Sequence, residues 1–120
     1  MIKLKRVYEK PEATDGMRIL VDRLWPRGLR KDDAQIDEWM KEIAPSDSLR
    51  RWYGHKEEQW EEFKRRYKKE LKEKRQLLQR LRRAGKRGTV TLVFATKDGE
   101  HSNAAVLFEL LRKSTSLERP

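Results

Sequence analysis

Two short apolar runs set far apart in the chain, Arg18-Ile19-Leu20-Val21-Asp22-Arg23-Leu24 and Thr89-Val90-Thr91-Leu92-Val93-Phe94-Ala95-Thr96, constrain the fold most. The first has the pattern of a fully buried central strand. The second, rich in β-branched and aromatic residues, is the clearest strand signal of all. A third strand is read over Ile2 to Tyr8, where apolar and basic residues alternate with a period of two, as on a strand with one buried face. Helical patterns separate the last two runs, which predicts an α/β domain with a short, mostly parallel sheet and packed helices. The loop from Glu9 to Gly16 is shorter than a usual parallel crossover, so an antiparallel first strand stays open.

Trp25-Pro26-Arg27-Gly28 ends the central strand, since Pro26 offers no N–H to a ladder and Gly28 tolerates positive φ. A helix is expected from Asp32 or Asp33 to Pro45, carrying Ile36, Trp39, Met40 and Ile43 at helical spacing. Ser46 is placed to cap a shorter helix that closes at Gly54. From Lys56 to Ala84 the apolar positions Trp60, Phe63, Tyr67, Leu71, Leu78 and Leu81 predict one long amphipathic helix, stopped by Gly85 and Gly88. Glutamates crowd its first turns and arginines its last, matching the helix dipole. A final helix begins near His101-Ser102-Asn103. The domain is expected to occupy residues 1–113, with a frayed tail over 114–120.

Cysteine is absent, which removes disulfides and thiolate chemistry, and the only histidines are His55 and His101, so a multi-histidine metal site is not expected. A weaker alternative keeps a haem or a metal on His55 or His101. No segment has the roughly 20 apolar residues of a membrane span and no signal-peptide core follows Met1, so the expected location is cytoplasmic, without a membrane partner. The net charge of +10 sits almost entirely in Lys64 to Arg87, where 13 basic side chains face 2 acidic ones and leave the other 96 residues near −1. That segment is either a solvated helix face or a nucleic-acid surface, because a Lys- and Arg-rich helix neutralises phosphates.

In open parallel sheets ligands bind beyond the carboxyl ends of the strands. Residues at or past those ends are Arg6 and Tyr8, then Asp22, Arg23, Trp25 and Arg27, then Lys97, with His101 and Asn103 at the start of the last helix. Guanidinium and ammonium groups beside a helix amino terminus suit an anion such as phosphate or carboxylate. Arg6, Tyr8, Arg23, Trp25, Arg27, Lys97 and Asn103 are therefore the candidate anion-binding residues, and His101 and Asp22 the candidate proton-transfer pair. The expected partner is a phosphorylated or nucleotide-like small molecule; the residues assign neither a cofactor nor a reaction. Each residue also has a structural reading: Asp22 and Arg23 pairing with each other or holding the next loop, Trp25 as cover, His101 as a helix-start residue, His55 as a cap.

Several segments together resemble the short YeaO-like branch of the domain of unknown function 488. They are Lys5-Arg6-Val7-Tyr8, Asp15-Gly16 leading into Arg18 to Gly28, Asp37-Glu38-Trp39, Glu42 to Ser46, Leu49-Arg50 with Trp52-Tyr53-Gly54-His55, Phe63-Lys64 with Tyr67, and Lys97-Asp98 with His101 and Asn103. The resemblance implies a small Rossmann-like or flavodoxin-like three-layer α/β domain. It supplies no reaction, and it places Asp22, Arg23, Trp25, Pro26, Arg27, Lys97 and His101 in the shared signature. A longer branch carries Cys and His near the last strand, where this chain has no Cys.

Overall fold

The computed structural model describes residues 1–117, with side chains to residue 113, so the tail expected at 114–120 lies outside the described side chains. Four strands, β1 (Ile2–Arg6), β2 (Met17–Leu20), β3 (Glu38–Trp39) and β4 (Val90–Phe94), form one sheet in the order β1-β4-β2-β3. Every pairing is parallel, which settles the orientation of β1 and sets all four carboxyl ends along one edge. β4, the last strand in sequence, lies in the middle and is buried throughout, as its unbroken apolar character requires.

One face of the sheet presents Ile19, Val21, Val90, Leu92 and Phe94 to the helices α3 (Trp60–Leu71), α4 (Arg75–Arg87) and α5 (Asn103–Leu117). The opposite face presents Val7, Leu20 and Val93 to Trp25, Leu29, Ile36 and Trp39, so its cover is mostly loop with the four-residue helix α1 (Lys31–Ala34). This is a small α/β domain of Rossmann or flavodoxin type, thinner on the second side.

That second face also explains how ten residues manage a parallel crossover. Lys5, Arg18 and Thr91 project from β1, β2 and β4 toward the loop that joins β1 to β2. The Thr91 hydroxyl donates to the Asp15 carbonyl at 2.6 Å, while the Asp15 carboxylate accepts from Arg18 at 2.7 Å and from Lys5 at 3.1 Å. Arg18, 3% exposed, spends its other donors on the carbonyls of Ala34 and Gln35. A polar clamp thus straps the loop across β4. Gly16 completes it: φ is +63°, and a Cβ there would stand 2.2 Å from the Thr89 carbonyl oxygen.

Two helix expectations need correction. The helix expected from Asp32 to Pro45 stops at Ala34, because Gln35 turns left-handed (φ +48°) and the backbone N–H of Arg18 captures the Asp37 carboxylate at 2.8 Å. The chain then pairs with β2 as strand β3 before a 3-10 turn at Lys41–Ile43. The long helix is two, α3 and α4, joined by a 3-10 turn at Lys72–Lys74. Gly85 does not stop α4, which runs to Arg87. The shorter helix α2 (Asp47–Tyr53) forms as read, with the Ser46 hydroxyl accepting from Leu49 N–H and Gly54 left-handed at its end.

Candidate functional site

At the carboxyl edge of the sheet the loops after β2 and β4, the start of α5 and the end of α2 enclose a cleft of about 550 Å³. Asp22, two residues past the end of β2, stands in its wall. Its carboxylate accepts from the Ala95 N–H at 2.9 Å, and burial raises its pKa against the opposing effect of that bond and the Asn103 amide. Asp22 and Arg23 do not pair. The Arg23 guanidinium reaches the Pro45 carbonyl at 3.0 Å and so fixes the loop ahead of α2.

Trp25 lines the cleft with its indole N–H bound to the Leu29 carbonyl at 2.7 Å and its ring edge-on to Trp39. It is therefore both cover for the sheet and wall of the cleft. Arg27 is exposed at the mouth, and its carbonyl accepts the Tyr8 hydroxyl at 2.7 Å. Arg6 stands behind rather than in the cleft, its Nε on the Ala95 carbonyl and its guanidinium 4.7 Å from the centre of the Tyr8 ring. Lys97 is exposed and lies outside the cleft wall. Asn103 lines the cleft and donates to the Val21 carbonyl at 2.8 Å.

His101 also lines the cleft. Its Nδ1 lies 2.6 Å from Asp98 Oδ2, and this bond, outweighing partial burial and helped by the charges of Asp98, Glu57 and Glu100, raises the imidazole pKa above its ordinary value. The helix amino terminus that was expected to face the cleft does open on it, through Ser102 and Asn103, but the Ser102 hydroxyl caps it by accepting from Ala105 N–H. Among the described residues, Glu57, Asp98 and His101 form the one trio whose ligand-type atoms all fall within 4.8 Å of one another; His55 is not part of it.

The residues that sequence reasoning left out of the site are Arg50, Arg51, Tyr53 and Phe63, together with His55, which was placed as a cap. Arg50, Arg51 and Tyr53 enter on α2, with His55 just past it, because α2 packs against α3, which itself carries Phe63. His55 sits at φ +60°, an uncommon conformation for a non-glycine residue and one more frequent at functional sites. The segment Leu49-Arg50 with Trp52-Tyr53-Gly54-His55, already among the marks of the resemblance, is the signal that pointed there. The cleft wall thus carries four arginines and two histidines against one carboxylate, Asp22.

The model of the inactive DUF488-N3 subclade matches residues 1–119. The chain belongs to this DUF488 family. The uncharacterized protein Rv3073c of Mycobacterium tuberculosis (strain ATCC 25618 / H37Rv) is 46% identical to this DUF488 member over 110 residues, 92% of each chain. The uncharacterized protein YeaO of Escherichia coli (strain K12) is 42% identical over 111 residues, 92% of this chain and 96% of its own. No solved structure matches this DUF488 chain. Among its described residues no helix is long and apolar enough to cross a membrane.

Proposed function

We propose that this DUF488 protein binds an anionic small molecule, phosphorylated or nucleotide-like, in the cleft at the strand ends, and that it does so without turning it over. The observation that carries this reading is the lining itself: Arg23, Arg27, Arg50, Arg51, His55 and His101 surround one pocket that holds a single acidic side chain. Guanidinium groups give a phosphate paired donors, and a partly enclosed site screens them less than open water does. The subclade's description as inactive favours binding over catalysis, and it shifts His101 and Asp22 from proton transfer to recognition.

Arg23 is a poor residue to remove, since it holds the Pro45 carbonyl. Arg27 and Arg51 are exposed, and neither side chain has a partner among the described residues. Thermal unfolding should therefore be followed with a panel of nucleotides and sugar phosphates in the wild type and in an Arg27→Ala, Arg51→Ala double variant. A ligand that binds only the folded state raises Tm. The wild type is expected to be stabilised by at least one such anion, and the double variant much less; equal shifts in both proteins sink the reading.

A second reading, nucleic-acid binding by the basic helices, is favoured by one observation. Lys69, Lys72, Arg75, Arg83 and Arg87 are exposed, and none has a partner among the described residues. Its test is the salt dependence of binding to DNA or RNA.

A further inference from the structure

Asp22 is the feature that a simple anion site does not explain. A carboxylate in the wall of an otherwise cationic cleft repels an incoming phosphate, and burial strengthens that repulsion. Among the described residues no cation neutralises it: the adjacent Arg23 is turned away to the Pro45 carbonyl, and the groups that face the carboxylate are the Ala95 N–H and the Asn103 amide. Two neutral donors leave a carboxylate, with about four lone-pair sites, able to accept more. A ligand suited to this cleft therefore carries both N–H donors and negative charge.

The lining is also aromatic. Tyr8, Trp25, Tyr53 and His55 line the cleft along with the arginines. Trp25 is held in place by its N–H bond to the Leu29 carbonyl, and Tyr8 by its hydroxyl on the Arg27 carbonyl. Such rings take a planar heterocycle by stacking. A volume of about 550 Å³ lies within the ordinary range for small-molecule sites.

We infer that the cleft takes a guanine nucleotide, with Asp22 accepting from the guanine edge and Arg27 and Arg51 taking the phosphate. Among the common bases guanine alone offers two adjacent, parallel N–H donors on its Watson–Crick edge, N1–H and the 2-amino group, which match the two oxygens of one carboxylate. Adenine and cytosine each set a donor beside an acceptor there, and uracil sets one donor between two acceptors, so each brings at least one lone pair against the carboxylate. A site built around a specific hydrogen-bonding group discriminates strongly against analogues that lack it.

The inference rests on the anion-binding reading, and one experiment separates the two. Isothermal titration at pH 7.5 would compare GMP, IMP, AMP and ribose 5-phosphate on the wild type and on Asp22→Asn, whose amide oxygen can still accept from Ala95 N–H. GMP is expected to bind at least about tenfold more tightly than AMP, with IMP, which lacks the 2-amino donor, in between and ribose 5-phosphate weakest. Asp22→Asn should lose the preference for GMP while keeping weak binding of ribose 5-phosphate. If ribose 5-phosphate or AMP binds as well as GMP, the guanine assignment is wrong and the anion site stands. If none of the four binds the wild type, both fall. Should Asp22→Asn not fold, the ranking of GMP, IMP and AMP on the wild type decides alone.

Discussion

At the scale of single residues, the chain's buried charges divide by what they hold. Asp22, half-buried, holds the Ala95 N–H and the Asn103 amide in the wall of a cleft; Asp15, fully buried, holds a crossover. The Asp15 carboxylate is 1% exposed, and burial alone would raise its pKa, yet hydrogen bonds from the Glu12 N–H, Lys5 and Arg18 outweigh that and leave it below the usual carboxylate range. A group with a depressed folded pKa contributes stability above its unfolded pKa, near 3.9 for Asp, and loses it as pH falls through the folded value. Removing its charge also strands Arg18, whose burial without a counter-ion costs about 3–5 kcal/mol. Asp15→Ala is therefore expected to lose about that much in urea denaturation at pH 7, with the deficit shrinking toward pH 3. A deficit that is the same at both pH values, or under about 1 kcal/mol, would show that the clamp does not act through charge. None of this clamp was legible beforehand. Arg18 and Asp15 read as the edge of a strand and a turn; they meet over the sheet only because the loop folds back, where Lys5 of β1 and Thr91 of β4, 76 residues away, join them.

At the scale of elements, the errors and successes have one physical origin. The helix expected between Asp32 and Pro45 rested on Ile36, Trp39, Met40 and Ile43 recurring at helical spacing. In the fold those residues belong to different faces: Ile36 and Trp39 pack with Val7, Leu20 and Val93, while Met40 and Ile43 join the helical side. Periodicity measures sidedness, and here a chain that wraps the sheet edge imitates it. The segment from Trp60 to Leu81 read correctly in its buried face, since one partner, the sheet with α5, covers its whole length. What the pattern concealed was the turn at Lys72–Lys74, which leaves the order of buried positions undisturbed. Gly85 read as a stop and is instead a contact: a Cβ there would lie 2.7 Å from Ile2 Cγ1. Alanine gains about 1 kcal/mol of helix propensity, but overpacking costs about 1–3 kcal/mol. Gly85→Ala is expected to be destabilising by about 1 kcal/mol by these magnitudes, and to cost much less when added to Ile2→Ala, which removes Cγ1 itself. Additive effects in that double-mutant cycle would mean that β1 does not press on α4.

At the scale of the whole molecule, the parallel sheet made the position of the candidate cleft legible and left its lining incomplete. Strand-end reasoning named Tyr8, Asp22, Arg23, Trp25, Arg27, His101 and Asn103, which line one cleft because in an all-parallel sheet those ends must converge; Arg50 and Arg51 arrive on a helix whose docking no local pattern encodes, and His55 just past it. The charge distribution is separate from this site. Lys69, Lys72, Arg83 and Arg87 fall on the side of α3 and α4 opposite Tyr67, Leu71, Leu78 and Leu81, a row that extends roughly 27 Å at 1.5 Å per residue. The turn between the helices keeps the row facing outward, since the buried positions run on across it. If this row contacts duplex DNA, each phosphate contact contributes about 0.9 to the slope of log K against log salt concentration. Replacing all four with Gln should then lower that slope by about 2–4 and leave thermal shifts from cleft ligands unchanged, because none of the four lines the cleft. A slope that stays the same in the quadruple variant would identify the row as a solvated face, whose function is solubility; a slope that falls together with cleft binding would mean that the two basic regions act as one surface.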